Sequence, residues 1–386
     1  MSREEVNPFI SYYGKYNISP VRQDISDFSR HLLRRERLFV RLGLPSGFFS
    51  GRTILEVGPG GGHNALAYFK WGANVDFVEP NPKAQEDLLE LFDKYGVDRK
   101  RYNLYRCKIE EFDSCEKYDL VIAEGVIPGL YDRREIIKKL TSFVKIGGAI
   151  VVTCCDDISY FFEILKRLIG FILLKKKGVV EFNDKVRILS QAFESHLKSL
   201  KYSSRFLSDW VMDQFFTPYV TGKMFSIAEC IEEFGREFLV LGCSPSMFTD
   251  YSWYKNLDFN MQEHKLKQFY KKRHILFFYD LEESERPIGF NEELAARTKE
   301  FRSLVGILEN EYNDKNMIDI IQNLHELKVL ASTVDTRISD AIDESVRLIS
   351  DNEIDELKIH NAEKLAQAFG KGQQYVSLTK LFTTSP

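Results

Sequence analysis

A strand that runs straight into a glycine cluster is the feature that most restricts this chain. Ile54-Leu55-Glu56-Val57 is a short apolar run, and Gly58-Pro59-Gly60-Gly61-Gly62-His63-Asn64 follows at once. A strand end that turns sharply and lets a ligand approach its backbone needs residues without Cβ. Gly58, Gly60 and Gly62 supply them, and the next helix is expected to begin near His63. In open α/β sheets ligands bind at the carboxyl ends of the strands, in the crevice where strand order reverses. Seventeen residues beyond Gly62, at the end of a second apolar run, stands Glu79. A carboxylate there can accept hydrogen bonds from both hydroxyls of a ribose.

The alternation continues. Apolar runs at 53–57, 74–78, 102–106, 119–123 and 149–154 read as strands, and 64–71, 83–95 and 134–145 as helices between them. An N-terminal helix is expected over 21–43, with Ile25, Phe28, Leu32, Leu33 and Leu38 at helical spacing. Strands alternating with helices predict a doubly wound α/β architecture, a parallel sheet covered on both faces. Beyond residue 155 the pattern breaks: 158–234 reads as mostly helical, 238–242 and 274–279 as two further strands, and the remainder as about four amphipathic helices. The expected division is an N-terminal helical segment (1–49), a core (50–155), a helical insertion (156–234), the end of the core (235–288) and a C-terminal helical module (289–386).

The glycine cluster also has to be weighed as a dinucleotide fingerprint, G-x-G-x-x-G/A. Read from Gly58, His63 falls where the third glycine belongs; read from Gly60, the series Gly60, Gly62, Ala65 is permitted. The second register carries the strand through Gly58 and Pro59, and proline cannot donate to an interior ladder. The spacing of Glu79 suits either reading.

Four motifs in order carry a family resemblance. Glu56-x-Gly58-x-Gly60-x-Gly62 resembles motif I of class I S-adenosylmethionine-dependent methyltransferases, and Glu79 is similar to their ribose-binding acid. Tyr118-Asp119-Leu120-Val121-Ile122-Ala123-Glu124-Gly125 resembles the fourth-strand motif, and Val144-Lys145-Ile146-Gly147-Gly148 the turn before strand five. The resemblance covers roughly 50–155 and 237–282, and it implies a Rossmann-like sheet and S-adenosyl-L-methionine as cofactor. It implies Glu56 as the residue orienting the loop and the methionine amine, with Gly58, Pro59, Gly60 and Gly62 cradling the cofactor and Glu79 holding the ribose. Ile109 and Glu110 would lie by the adenine, although Lys108 stands where many members have aspartate. Glu124 completes the expected cofactor set.

Methyl transfer from a sulfonium is an in-line displacement, so an enzyme mainly aligns acceptor and methyl carbon and removes a proton from a hydroxyl acceptor. The insertion could fold over the cofactor as a lid. Within it His196 is a candidate general base and Asp209 its orienter, with Arg205 and Trp210 as candidate acceptor contacts. Packing of His196 and Trp210, with Arg205 paired to Asp209, is the plainer alternative. Tyr13 and Gln23 in the N-terminal segment are further candidates for the substrate side. Asp156-Asp157 with Glu124 could suggest a metal-dependent O-methyltransferase, but adjacent aspartates after a strand point to opposite faces and also serve as a helix cap, so no metal is expected.

The formal net charge of −4 offers no global attraction to nucleic acid or anionic lipid. The signatures of base-methylating enzymes are missing at 124–127. A small or medium hydroxylated acceptor follows: a sugar, glycan or metabolite, with O-methylation favoured and no nucleic-acid partner. Six cysteines without metal or disulfide spacing read as reduced thiols. The opening residues lack an apolar signal, and the stretch 158–174 is too charged to span a bilayer. A cytoplasmic protein without stable membrane insertion is expected. The apolar stripes of the C-terminal helices need burial, which points to a homodimer through them, with folding back onto the insertion as the rival.

Overall fold

The computed structural model describes residues 8–382 except 131, 219–221, 247–252, 254, 256–263, 265–266, 269 and 282–284. The opening residues 1–7 and much of the aromatic, basic stretch after 246 therefore lie outside the described residues. Two compact units divide the chain: Met1–Cys155 with Gly222–Tyr270 and Gln373–Pro386, and Asp156–Thr221 with Lys271–Gly372.

The first unit is built on a seven-stranded sheet. Its strands are β1 (Thr53–Val57), β2 (Asn74–Val78), β3 (Tyr102–Tyr105), β4 (Tyr118–Ala123), β5 (Val144–Cys154), β6 (Phe238–Ser244) and β7 (Gln374–Lys380). The order is β3-β2-β1-β4-β5-β7-β6. The first five run parallel, with Glu56 in register with Phe77 on one side and Ile122 on the other. From Leu120 to Ala123 each residue of β4 is buried, as a strand covered on both faces requires. Helices α1 (Pro8–Tyr16), α2 (Phe28–Arg41), α3 (Ala65–Lys70), α4 (Pro82–Lys94) and α5 (Arg134–Ser142) belong to this unit. Phe39, Phe49, Tyr68, Phe77 and Phe92 pack a core cluster on it.

Two expectations need correction. Residues 274–279 do not form the sixth or seventh strand: His274–Phe277 is a short 3-10 helix. The strand that completes the sheet is Gln374–Lys380, near the end of what reads as an all-helical module, and it lies antiparallel between β5 and β6. Its sequence QYVSLTK is β-branched and aromatic, so the local propensity agrees with the structure. The N-terminal helix also starts later than expected, at Phe28, where Asp27 caps it by accepting from the Arg30 N–H.

The second unit is helical. It combines α6 (Phe161–Lys177), α7 (Phe182–Ser199) and α8 (Leu207–Phe216) with the helices Ile288–Asn310, Asp314–Ser332, Thr336–Ser350, Glu356–His360 and Glu363–Gln367. The insertion and the C-terminal helices thus share one core. Phe301, Val305, Leu324, Leu327, Ile338 and Ile342 are fully buried in it. The stripes that prompted a dimer are covered within the chain only in part, since Tyr312, Ile318 and Leu357 remain exposed. Among the described residues, no helix is long and apolar enough to cross a membrane.

Candidate functional site

The site forms where β1 has β2 on one side and β4 on the other, so the loops after β1 and β4 leave in different directions. β1 ends at Val57, and the Gly58 N–H still reaches the Val78 carbonyl at 2.9 Å. The loop then turns through left-handed backbone at Gly60 (φ 56°) and Gly62 (φ 74°). A Cβ on Gly62 would fall 2.9 Å from the Phe92 ring, so only glycine fits under α4. A Cβ on Gly60 would collide with Val21, because the segment before α2 crosses the loop there. That segment is held by Asn81, whose side-chain amide donates to the Ile18 carbonyl at 2.9 Å.

Glu79 is buried at the end of β2. One carboxylate oxygen accepts the Gly60 N–H at 3.1 Å and the other the Asn81 N–H at 2.9 Å. Burial pushes its carboxyl up to about 7, against the pull of those two donors. Glu56 is 3% exposed, and its Oε2 has no hydrogen-bond partner among the described residues. Burial, then the neighbouring Glu124 charge, pushes it up to about 8, with Arg35 opposing and Glu79 adding slightly.

Glu124 follows β4 and is engaged on both oxygens. The Arg35 guanidinium forks onto it, Nη2 to Oε1 and Nη1 to Oε2 at 3.2 Å. Asn64 Nδ2 donates to Oε2 at 3.0 Å, and the hydroxyls of Tyr68 and Tyr375 donate at 3.3 and 3.4 Å. Arg35 also donates to the Tyr68 hydroxyl at 2.7 Å. Arg35, Asn64, Tyr68 and Tyr375 are not among the site residues expected from the sequence. Arg35 had left a signal: His31, Arg35 and Phe39 form the inward stripe of α2 at four-residue spacing, and a charge on such a stripe needs a buried partner. For Tyr375 the only signal is the strand chemistry of QYVSLTK, in a module that otherwise reads as helical.

The other expected residues are distributed as follows. Gly58 and Pro59 are half-buried in the loop. Ile109 is buried in the turn after β3, while Glu110 is exposed. Gln23 donates to the Asn64 side chain at 3.0 Å and so joins the Glu124 network. Tyr13 packs on α1 against Tyr12 and Phe9.

In the helical unit the arrangement is that of a packed core. His196 is 0% exposed, its Nε2 lies 3.0 Å from the Ile359 carbonyl, and burial holds it down at about 3. A base with no exposed surface and so low a proton affinity has no acceptor to serve, so the packing alternative is the one the geometry favours. Asp209 is equally buried and accepts from the Ser208 hydroxyl at 3.4 Å. Arg205 pairs with Asp213 at 3.1 Å. Trp210 is buried, edge-on to Phe215. Asp156 meets His274 Nε2 at 3.1 Å and accepts the Ser159 N–H, and Asp157 pairs with Arg302.

Charge tests whether the first site suits the expected cofactor. Glu56 and Glu124 feel one guanidinium, Glu79 is buried beside Glu56, and one carboxylate oxygen of Glu56 has no donor among the described residues. Buried polar atoms are normally satisfied. A ligand with a cationic donor and ribose hydroxyls supplies what is missing, so the residues fit.

Residues 55–152 match the family described as a methyltransferase domain. The chain is 30% identical over 133 residues to a ubiquinone biosynthesis O-methyltransferase of Rickettsia conorii, covering 34% of this chain and 44% of that protein. It therefore spans less than half the length of this curated relative. Among solved structures, the N-methyltransferase NodS from Bradyrhizobium japonicum WM9 with S-adenosyl-L-homocysteine is 17% identical, with 38% of this chain and 74% of that one covered and a TM-score of 0.31. The glycopeptide N-methyltransferase MtfA with S-adenosyl-L-methionine is 20% identical, with 28% and 48% covered and a TM-score of 0.26. Structural likenesses that slight carry no argument.

Proposed function

We propose that this chain, whose residues 55–152 form a class I S-adenosylmethionine-dependent methyltransferase domain, transfers a methyl group to a small or medium hydroxylated acceptor. One observation carries the reading: a buried carboxylate, Glu56, has an unpartnered oxygen beside a glycine loop at the reversal of strand order. Bound there, S-adenosylmethionine would supply a methyl carbon on a sulfonium for in-line transfer to the acceptor oxygen, with the thioether as leaving group and the hydroxyl proton passing to solvent.

The chain's own residues do the rest. Glu56 Oε2 takes the ammonium of the methionine end, and its burial makes that ion pair strong. Glu79, already oriented by Gly60 and Asn81, accepts the ribose hydroxyls. Ile109 offers an apolar surface to the adenine. The acceptor class, a sugar, glycan or metabolite, rests on the absence of nucleic-acid signals and on the name of the partial relative, an O-methyltransferase. Calorimetry with S-adenosylmethionine tests the cofactor, and incubating labelled cofactor with fractionated cell extract tests the acceptor. Lack of binding at every pH from 6 to 9 rules out the reading. Label recovered only in nucleic acid or protein rules out the acceptor class.

A further inference from the structure

Two unpartnered buried atoms stand in the same charge cluster. Glu56 Oε2 lacks a donor, and Arg35 Nε, a donor, lacks an acceptor, yet they do not bond to each other. A guanidinium and a carboxylate buried together are expected to pair, since each is costly to leave alone. What keeps them apart is visible. Both terminal nitrogens of Arg35 are committed to Glu124, and Nη2 is also bonded to Tyr68.

We propose that Glu124 is a positioning residue that sequesters the Arg35 guanidinium, so that Glu56 keeps an oxygen open to the cofactor's cation. This rests on the cofactor reading above. Without the Glu124 carboxylate, Arg35 is free to turn its fork to Glu56, and it then competes with the ammonium for the same oxygen. The restraint is over-determined. Asn64 at the start of α3 and Tyr375 on β7 also donate to Glu124 Oε2, fixing the acceptor to which Arg35 is tied. Tyr375 adds a requirement for the last strand of the sheet.

Among the described residues, the charged and titratable groups around Glu56 are few. They are Arg35 on α2, Tyr68 on α3, Glu79 after β2 and Glu124 after β4, with Tyr375 beside Glu124. His31, four residues before Arg35, is held near 4 by burial and stays neutral at pH 6–9. Burial also raises Tyr68 and Tyr375 well beyond that range. Cofactor binding in this window therefore reports on the carboxylates together with the cofactor's own α-amino group, which titrates at roughly 8 and is common to every variant.

The test is a cycle of E124Q, R35M and the double variant, titrated with S-adenosylmethionine at pH 6, 7, 8 and 9. E124Q is expected to bind about tenfold or more weaker at pH 8 and to lose the carboxylate share of its pH dependence, because the freed guanidinium keeps Glu56 ionised. Adding R35M to E124Q is expected to restore both affinity and pH dependence, since the competitor is gone. A brace that only supports packing predicts the opposite, a double variant no better than E124Q, and that result overturns the proposal. Should E124Q not fold, the double variant decides: affinity within a few-fold of wild type at pH 8 supports sequestration, and a tenfold loss overturns it. Wild-type protein that binds no cofactor overturns the cofactor reading itself, which is a separate outcome.

Discussion

Burial that lifts Glu56 to about 8 and Glu79 to about 7 ties cofactor binding to protons. Both folded values lie above those of a free carboxylate, so between roughly pH 4.5 and 8 the folded state holds protons the unfolded chain has lost. The ligand-free protein is expected to lose stability as pH rises through that window. A cationic ligand reverses this, because it favours the ionised form. The increase in melting temperature produced by saturating cofactor should thus be larger at pH 7 than at pH 6, a range in which the ligand's α-amino group stays mostly charged. An increase independent of pH would mean that neither acid meets the ligand's charge. His196 belongs to the same scale with the opposite expectation. Replacing it by alanine leaves the Ile359 carbonyl without its partner and opens a gap, for a loss of about 1–3 kcal/mol. Turnover per folded molecule should stay near wild type, and a hundredfold fall at unchanged stability would return His196 to catalysis. Glu56 and Glu79 were legible because a strand end and a glycine turn announce them locally. The partners of Glu124 were not, because Arg35 and Tyr375 lie 89 and 251 residues away along the chain.

Among the elements, the glycine loop and β7 make contrasting cases. Gly62 sits at φ 74° with the Phe92 ring and Leu88 closing the space where a Cβ would be. Gly62→Ala is therefore strained in backbone and packing together, a loss of about 1–3 kcal/mol. Thermal melts should record it, and cofactor affinity should fall with it, whereas an unchanged melt would mean the loop yields freely. β7 pairs along six residues with each of β5 and β6. Deleting 374–386 would leave two facing edges unpaired and remove Tyr375 from Glu124. Loss of cooperative unfolding is the expected result. Retained cofactor binding in that deletion would show β7 to be dispensable to the site. The short glycine loop was readable from composition alone. The strand was missed because the helices before it set the expectation for the whole module, although QYVSLTK has strand chemistry.

For the whole molecule the division into units decides what can be removed. The helices from 288 onwards share a core with α6, α7 and α8. Truncation to 1–288 would strip that core from α6, whose residues from Phe161 to Gly170 are all buried, and would remove β7 as well. Size-exclusion chromatography with light scattering should find aggregate from the truncation. A soluble 1–288 fragment that binds cofactor would show the first unit to be independent of the rest. By itself the sequence determined the five-strand alternation, the glycine loop and the two acids beside it, since each is written in a few consecutive residues. Only the tertiary structure decided which strand closes the sheet, where the apolar stripes are buried and why Arg35 leaves Glu56 unpaired. Those outcomes depend on pairings between distant segments, and periodicity and spacing register only neighbours.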